Sequence, residues 1–521
     1  MLVVDQMSAD YVEDFKGRWT GGLHRLVDRG AWFRKAAYPY MNTVTCTGHS
    51  TISTGALPIT HGMILNSWWD RTAGRPMACT EDPGTRPVSY GGPVAGGGDS
   101  PWRLAVPTFT DELRAQKGEG PSILTFSLKP RSAVTLAGHA ANAVTWLSDS
   151  GSWMTSSVYP GPVPFIADFV KAHPIEKDFG AVWTKVLPEK DYSYKDDAEG
   201  EPAPQTWTRT FPHVLKGTSD QPDALFYLLW EQSPFSDAYL EKLAEAAIDT
   251  QHLGQRGTTD YLGVSFSALD LVGHVFGPRS HEIHDMLARL DRTIGALLDH
   301  LDKVVGPDHY VVALTSDHGV APIPEQLARE GRDAGRIDLS VIASRLEQAL
   351  NASLGKGKYV SSVAFTDVYF EPGVYEQLLH KKEALKAAID AIRSVPGVLQ
   401  VFRGDELPAL RSSKDRLQRA AALGYFPGRS GDLIVVPKPH WLLGSNAGTT
   451  HGTANDYDQR VPVILMGPGI KAGVYEQAAS PADLAPTLAS LVGIKLPKAD
   501  GRVLQEAITA PMVPTPFGVR R

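Results

Sequence analysis

Five short runs of apolar residues along the chain predict buried β-strands. They lie at residues 2–4, 122–127, 261–268, 310–315 and 461–466. Each run is almost continuously hydrophobic, as expected of strands that are covered on both faces. Pro462 in the last run favours the start or the edge of a strand, because proline cannot donate to the strand ladder. We expect these strands to form one partly parallel sheet.

Amphipathic helices are predicted between these strands. The best pattern spans residues 283–305, where one apolar stripe recurs at three- and four-residue steps. It consists of Leu287, Leu290, Ile294, Leu297, Leu301 and Val304. Residues 237–249 show a second helical pattern. Strands that alternate with helices indicate an α/β sandwich.

Three regions interrupt this alternation. Residues 72–100 are rich in glycine and proline, and we expect a long loop there. Residues 150–225 are rich in tryptophan, tyrosine, proline and charge, which predicts an inserted cap. Residues 357–405 read as strand 363–370, helix 375–394 and a further strand, which predicts a small α+β insertion. Both insertions would belong to a single domain spanning residues 1–521.

The composition is ordinary for a globular protein. Of 521 residues, 42% are hydrophobic and 21% charged, so disorder and coiled coil are excluded. The formal net charge is −7, which argues against a nucleic-acid-binding scaffold. An apolar stretch of about 18 residues is needed to span a membrane, and the chain has none. The two cysteines, Cys46 and Cys79, could pair, but the sequence does not decide it.

The chain begins at Met1 with a very short apolar run and then Asp5. Strands usually contain about five to six residues, so Leu2–Val4 resembles the tail of a longer strand. From this we expect residues, with a leader among them, to precede Met1 in the natural protein.

Aspartate and histidine residues follow several of the predicted strands. Asp5 follows the first, Asp270 and His274 follow 261–268, and Asp317 and His318 follow 310–315. In open parallel sheets, ligands gather at the carboxyl ends of the strands. An Asp and a His four residues apart lie on one side of a helical turn, and a glycine after His318 permits an irregular backbone. These residues are therefore candidate metal ligands.

A further histidine, His451, lies in a loop of glycine and threonine residues. Together the candidates supply three carboxylates and three imidazoles, a ligand set that suits zinc better than magnesium. Two zinc ions a few ångströms apart can clamp the attacking and leaving oxygens of a phosphoryl displacement. The sequence therefore predicts two Zn²⁺ ions.

A nucleophile is predicted within residues 42–50, which are rich in threonine and serine. A hydroxyl residue that opens a helix suits phosphate chemistry, because the N–H groups of a helix N-terminus attract anions. Metal coordination would lower the pKa of such a hydroxyl. The residues alone also allow a simple helix cap here.

Taken in order, the candidate residues resemble the alkaline phosphatase superfamily. The ordered residues are Asp5, Thr45, Asp270, His274, Asp317, His318 and His451. They are most similar to the threonine-nucleophile bacterial alkaline phosphatases, which are related to the nucleotide pyrophosphatases/phosphodiesterases. The resemblance implies a three-layer αβα sandwich.

The resemblance also assigns roles to individual residues. One zinc would be held by Asp270, His274 and His451, and the other by Asp5, Asp317, His318 and the Thr45 oxygen. The family has an asparagine twenty-one positions after the nucleophile, which selects Thr45 because Asn66 lies at that distance. Lys129 and Arg131 resemble the cation pair of the monoesterases, where they would compensate the second charge of a terminal phosphate.

The sequence therefore predicts a zinc-dependent hydrolase of small phosphate monoesters. A phosphodiesterase or nucleotide pyrophosphatase is the alternative, and an inactive zinc-stabilised binding protein is a remote one. A sulfatase is rejected, since Cys46 lacks the proline and arginine of the sulfatase pattern. By resemblance we expect a periplasmic or secreted protein. The oligomeric state is not predicted.

Overall fold

Strands and helices alternate along most of the chain in the computed structural model, which describes residues 1–94, 96–198, 200–202, 206–446 and 448–509. The strands are β1 (Leu2–Val4), β2 (Ala31–Ala36), β3 (Ser67–Asp70), β4 (Arg75–Ala78), β5 (Pro87–Ser89), β6 (Ile123–Ser127), β7 (Ala143–Leu147), β8 (Trp153–Ser156), β9 (Val182–Trp183), β10 (His213–Val214), β11 (Tyr261–Phe266), β12 (Val312–Thr315), β13 (Gly335–Ile337), β14 (Val360–Ala364), β15 (Asp367–Phe370), β16 (Val398–Arg403), β17 (Leu433–Pro437), β18 (Trp441–Leu443), β19 (Val463–Met466) and β20 (Gly473–Ala479).

The α-helices are named in the same way. They are α1 (Ala9–Phe15), α2 (Gly22–Arg29), α3 (Thr45–Thr54), α4 (Pro58–His61), α5 (Phe109–Lys117), α6 (Pro130–Ala137), α7 (Pro164–Ala172), α8 (Ala224–Glu231), α9 (Pro234–Thr250), α10 (Ala268–Phe276), α11 (His281–Val304), α12 (Pro324–Arg329), α13 (Leu339–Leu354), α14 (Val374–His380), α15 (Lys382–Arg393), α16 (Arg416–Gly424), α17 (Asp456–Gln459) and α18 (Leu484–Val492).

A ten-stranded mixed sheet forms the centre of the fold. Its order is β20-β2-β19-β12-β1-β11-β6-β7-β8-β5. The strands β12, β1, β11, β6 and β7 are parallel to one another, whereas β19 and β8 are antiparallel to their neighbours. Strand β1, with only three residues, lies within the parallel part, with Leu2 opposite both Val264 and Leu314.

Helices cover both faces of this sheet, and β1 shows how the layers are built. Leu2 and Val4 pack into a large apolar core together with residues of α9 and α11. Val3 points to the other face, where it packs against Ile52 of α3 and Leu136 of α6. Helices α5 and α18 lie beside α3 on that face. The predicted three-layer αβα sandwich is confirmed.

The main elements that the apolar pattern predicted are present. All five predicted strands occur, and the predicted helices correspond to α9 and α11. Helix α11 begins after Ser280, whose hydroxyl accepts the Ile283 N–H. Its predicted apolar stripe is buried from Leu287 to Leu297 and partly buried at Leu301 and Val304. The expected loop at 72–100 was wrong in part, since β4 and β5 lie within it.

A four-stranded antiparallel sheet, in the order β14-β15-β17-β16, packs against α13 and α15 around its own apolar core. The single strand predicted at 363–370 was wrong, because β14 and β15 form a hairpin that turns at Phe365. Within residues 150–225, β8 belongs to the main sheet, and the remainder contains α7, the short hairpin β9–β10 and the start of α8.

Cys46 and Cys79 form a disulfide, so the pairing that the sequence left open is made. The bond joins the first turn of α3 to the end of the β3–β4 hairpin. In the described part of the chain, every helix is too short or too polar to cross a bilayer.

Candidate active site

The carboxyl ends of four neighbouring parallel strands, β12, β1, β11 and β6, meet at one edge of the main sheet. A charged side chain follows each strand within four residues. Asp5 follows β1, Lys129 follows β6, Asp270 follows β11 and Asp317 follows β12. Because ligands of open α/β sheets bind at this edge, the strand order accounts for the convergence of residues that are distant in sequence.

Asp270, His274 and His451 form a cluster that we call group A. Asp270 and His274 lie one turn apart on α10, with Oδ1 and Nε2 separated by 3.2 Å. The Nε2 of His451, from the loop after β18, lies 3.7 Å from the same oxygen. One ligand atom from each residue lies within 4.8 Å of the other two, so the three can share one ion.

Asp5, Asp317 and His318 form a second cluster, group B, which is fully buried. The Nε2 of His318 lies 3.4 Å from Asp5 Oδ1 and 3.3 Å from Asp317 Oδ2. These three ligand atoms also lie within 4.8 Å of one another. The imidazoles of His318 and His451 stack with ring centroids 3.4 Å apart, so groups A and B are adjacent.

All three imidazoles of groups A and B are oriented by the backbone. In each ring Nδ1 hydrogen-bonds a carbonyl oxygen, so Nδ1 must carry the hydrogen. The carbonyls belong to Thr449, Gly319 and Thr43, at 2.8, 3.0 and 2.8 Å from His274, His318 and His451 respectively. In a neutral ring the lone pair of Nε2 then points at a carboxylate, an arrangement that a bound metal ion would stabilise. Such outer hydrogen bonds are typical of metal-binding histidines.

The buried atoms of group B fit a metal ion for a second reason. Within the described residues, Asp5 Oδ1, Asp317 Oδ2 and His318 Nε2 have no hydrogen-bond partner. Buried polar atoms that lack partners are costly, and a bound cation would satisfy all three at once. Burial and the Asp270 and Asp317 carboxylates raise the pKa of Asp5 well above its usual range, so an ionised Asp5 needs positive charge nearby.

Thr45 is the first residue of α3 and is buried, with 1% of its surface exposed. Val44 before it has an extended backbone, so the chain enters the helix directly at Thr45. The next N–H group, that of Cys46, donates to Oδ1 of Asn66 at 2.8 Å. Asn66, which is partly buried, therefore has its amide NH₂ left to donate elsewhere.

Helix α3 packs directly against group B. His49, one turn after Thr45, has Nδ1 2.9 Å from the Thr45 carbonyl and 3.2 Å from Asp317 Oδ2. A Cβ atom on Gly48 would lie only 2.2 Å from the Asp317 carbonyl oxygen. The glycine thus permits the contact that places the start of α3 beside group B.

Lys129 precedes α6 and is 6% exposed. Its ammonium donates to Asp5 Oδ2 at 2.5 Å and also to Asp270 Oδ2, so it contacts one carboxylate from each group. Burial lowers the pKa of Lys129, but Asp270 and Asp5 outweigh it and raise the pKa, which keeps the side chain cationic. Arg131 lies two residues on, in the first turn of α6, and its buried Nε has no partner among the described residues.

The structure adds three buried neighbours that the sequence did not predict. Gln6 contacts both groups through Asp270 and Asp317. His49 joins α3 to Asp317. Asp458 accepts the Thr453 N–H and hydroxyl, while its carbonyl accepts the Gly319 N–H, so it ties together two ligand loops. Only His49 carried a sequence signal, because it follows Thr45 by one helical turn.

Comparison with known proteins shows the family. The family model of type I phosphodiesterase / nucleotide pyrophosphatase matches residues 1–460. Alkaline phosphatase PhoV of Synechococcus elongatus is 31% identical over 97% of this chain and 92% of its own. Alkaline phosphatase PafA of Elizabethkingia meningoseptica is 31% identical over 97% of this chain and 93% of its own.

Solved structures show the same fold. Wild-type alkaline phosphatase PafA superposes with a TM-score of 0.88 at 31% identity, covering 97% of this chain and 98% of PafA. Murine ectonucleotide pyrophosphatase / phosphodiesterase 5 has a TM-score of 0.54 at 14% identity, over 98% of this chain and 99% of its own, and shares the fold alone. The expected alkaline-phosphatase-like fold is confirmed. This chain belongs to the type I phosphodiesterase / nucleotide pyrophosphatase family of the alkaline phosphatase superfamily, in which it is an alkaline-phosphatase-like hydrolase.

Proposed function

We propose that this protein is a zinc-dependent alkaline phosphatase that hydrolyses phosphate monoesters through a threonyl-phosphate intermediate. The observation that carries the proposal is the placement of groups A and B side by side, with Thr45 opening a helix that packs on group B. Relatives named alkaline phosphatase, over almost the whole chain, support the same activity.

In the proposed reaction, Thr45 Oγ1 loses its proton and forms a bond to phosphorus while the ester oxygen leaves in line as the alcohol. Water then hydrolyses the threonyl-phosphate, releasing inorganic phosphate and restoring the hydroxyl. Zinc ions in groups A and B would stabilise negative charge on the leaving and attacking oxygens. Asp270, His274 and His451 would hold the first ion, and Asp5, Asp317, His318 and Thr45 the second.

Three polar side chains would bind the phosphoryl oxygens. Asn66 would donate through its free amide hydrogens, and Lys129 and Arg131 would compensate the charge of a dianionic phosphate. A solved PafA variant is substituted at a threonine, an asparagine, a lysine and an arginine, the same four residue types in the same order as here. The spacing from the threonine to the asparagine, and that from the lysine to the arginine, are also the same as in this chain. That parallel supports the assignment of these roles.

The test is a comparison of two substrates, p-nitrophenyl phosphate and methyl p-nitrophenyl phosphate. We expect the native protein to prefer the monoester, to lose both activities when a chelator removes zinc, and to regain them when zinc is restored. The variant Lys129→Ala/Arg131→Ala should lose far more monoester than diester activity, since a diester lacks the second charge. A native preference for the diester would instead support a phosphodiesterase, the activity that the family description also includes.

We also propose that the protein works in an oxidising compartment, such as the periplasm or the extracellular space. The support is the buried Cys46–Cys79 disulfide, because such bonds persist mainly outside the cytosol. Thiol labelling of the denatured protein from its native source should find both cysteines blocked until a reductant is added. Two freely labelled thiols in that material would contradict the proposal.

A further inference from the structure

Gln6 lies between the two ligand groups. It directly follows Asp5 at the end of β1, is fully buried, and has a left-handed backbone with φ of 67°. This conformation is uncommon for a residue other than glycine, and strained residues are concentrated at functional sites. The turn lets the main chain of Gln6 face group B while its side chain reaches group A.

Gln6 contacts group B through its backbone and group A through its side chain. Its backbone N–H donates to Asp317 Oδ1 of group B at 3.2 Å. Its side-chain amide, Nε2, donates to Asp270 Oδ1 of group A at 2.7 Å. That Asp270 oxygen is the one nearest to both imidazoles of group A. The amide therefore holds the ligand atom itself.

Helix α10 has a matching space for this side chain. Gly273 lies between Asp270 and His274, and a Cβ atom there would be 1.8 Å from Oε1 of Gln6. Any larger residue would displace the amide from Asp270. The sequence of α10 is thus adapted to the presence of a long polar side chain at position 6.

We propose that Gln6 is a positioning residue for the metal ion of group A, an inference that rests on the proposed function. Its amide fixes the rotation of the Asp270 carboxylate, so that Oδ1 faces His274 and His451. Partners of this kind contribute about 10- to 100-fold to metal affinity. Because the contact with Asp317 comes from the backbone, replacing the side chain should affect group A and spare group B.

The experiment is a zinc titration of the metal-free full-length protein in competition with a chromophoric chelator. The native protein should bind two equivalents. Gln6→Met keeps the length of the side chain but removes the amide, and should weaken one equivalent about 10- to 100-fold while the other is unchanged. Gln6→Asn, whose amide is too short to reach Asp270, should give the same selective loss.

The zinc dependence of turnover provides a second measurement. In Gln6→Met the zinc concentration at half-maximal activity should rise, and excess zinc should restore most of the kcat. A matched control is Gln459→Met, because Gln459 is also buried but its amide donates to the Tyr40 carbonyl and not to a residue of either group. This control should retain both native zinc affinities.

Equal weakening of both equivalents, or no weakening in either Gln6 variant, would overturn the role of Gln6 and leave the proposed function intact. A loss of kcat that excess zinc does not restore would also count against it, because a positioning residue acts through the ion. If the native chain itself bound fewer than two equivalents, the proposed function would fail, and this inference with it.

Discussion

Three threonines lie close together at positions 43, 45 and 47, but their surroundings differ. The Thr43 hydroxyl donates to the Thr453 carbonyl at 3.1 Å. Thr47 is fully buried, and within the described residues its hydroxyl has no partner. Thr45 opens the helix, where N–H groups face an incoming anion. The local geometry thus favours Thr45 as the nucleophile.

We therefore expect Thr45→Ala to retain two zinc equivalents while its kcat on p-nitrophenyl phosphate falls about a thousandfold or more, because no covalent intermediate can form. Thr47→Ala is the matched control, since it removes a buried hydroxyl from the same helix. It should keep most of the native turnover. Near-native turnover in Thr45→Ala would show that the nucleophile is another group.

Among individual residues, the sequence predicts those that directly follow a predicted strand. Asp5, Asp270 and Asp317 each follow an apolar run, so their gathering at one sheet edge could be expected. Gln6 could not be predicted in this way. Its importance depends on a left-handed backbone and on the space beside Gly273, and neither leaves a trace in composition or periodicity.

Between elements, α3 makes a close contact with the loop after β12. The contact depends on Gly48, where an added Cβ would lie 2.2 Å from the Asp317 carbonyl oxygen and 2.6 Å from the Asp317 Cβ. Backbone atoms cannot move aside as a flexible side chain would. A methyl group at this position must push α3 and the ligand loop apart.

Gly48→Ala should therefore lower the free energy of unfolding by about 1–3 kcal/mol, as overpacked sites do, and should also reduce kcat because group B moves relative to Thr45. Gly17→Ala is the control, since a Cβ there would meet nothing within 4 Å. Thermal unfolding and turnover should be measured on both variants. Equal behaviour of the two would show that α3 has room to shift.

The burial pattern of individual strands explains why some of them were not predicted. The central strands are covered on both faces and read as apolar runs, whereas β2 contains exposed Arg34 and Lys35, and the edge strand β20 is mostly exposed. Mixed burial weakens the hydrophobic signal. The hairpin at Phe365 was missed because no glycine or proline marks the turn within residues 363–370.

At the scale of the whole molecule, one carboxyl from the region between β8 and α8 is buried near Glu282 at the start of α11. Glu201 is 4% exposed, and both of its oxygens lack a partner among the described residues. Burial, followed by the nearby Glu282 carboxylate, raises the pKa of Glu201 to about 9. The folded protein thus keeps a proton on Glu201 that the unfolded chain loses at much lower pH.

Because the folded state holds this extra proton, its stability should fall as the pH rises from about 4.5 to about 9. Glu201→Gln removes the titration, so its melting temperature should decline less over this range, by a few degrees at pH 9. Glu119→Gln, at a side chain that is 92% exposed, is the control and should follow the native curve. Parallel curves for all three proteins would contradict the assigned pKa.

The position of β1 has a consequence for synthesis. Its three residues are made long before the strands with which they pair, β11 and β12, which end at Phe266 and Thr315. At roughly 5–20 residues per second, a ribosome needs on the order of 15–60 s to reach β12. Leu2–Val4 have no partner strand until β11 is made, and their second partner, β12, follows later still. The centre of the sheet is therefore completed late, by contacts distant in sequence, and folding should be slow compared with that of a domain built from local contacts.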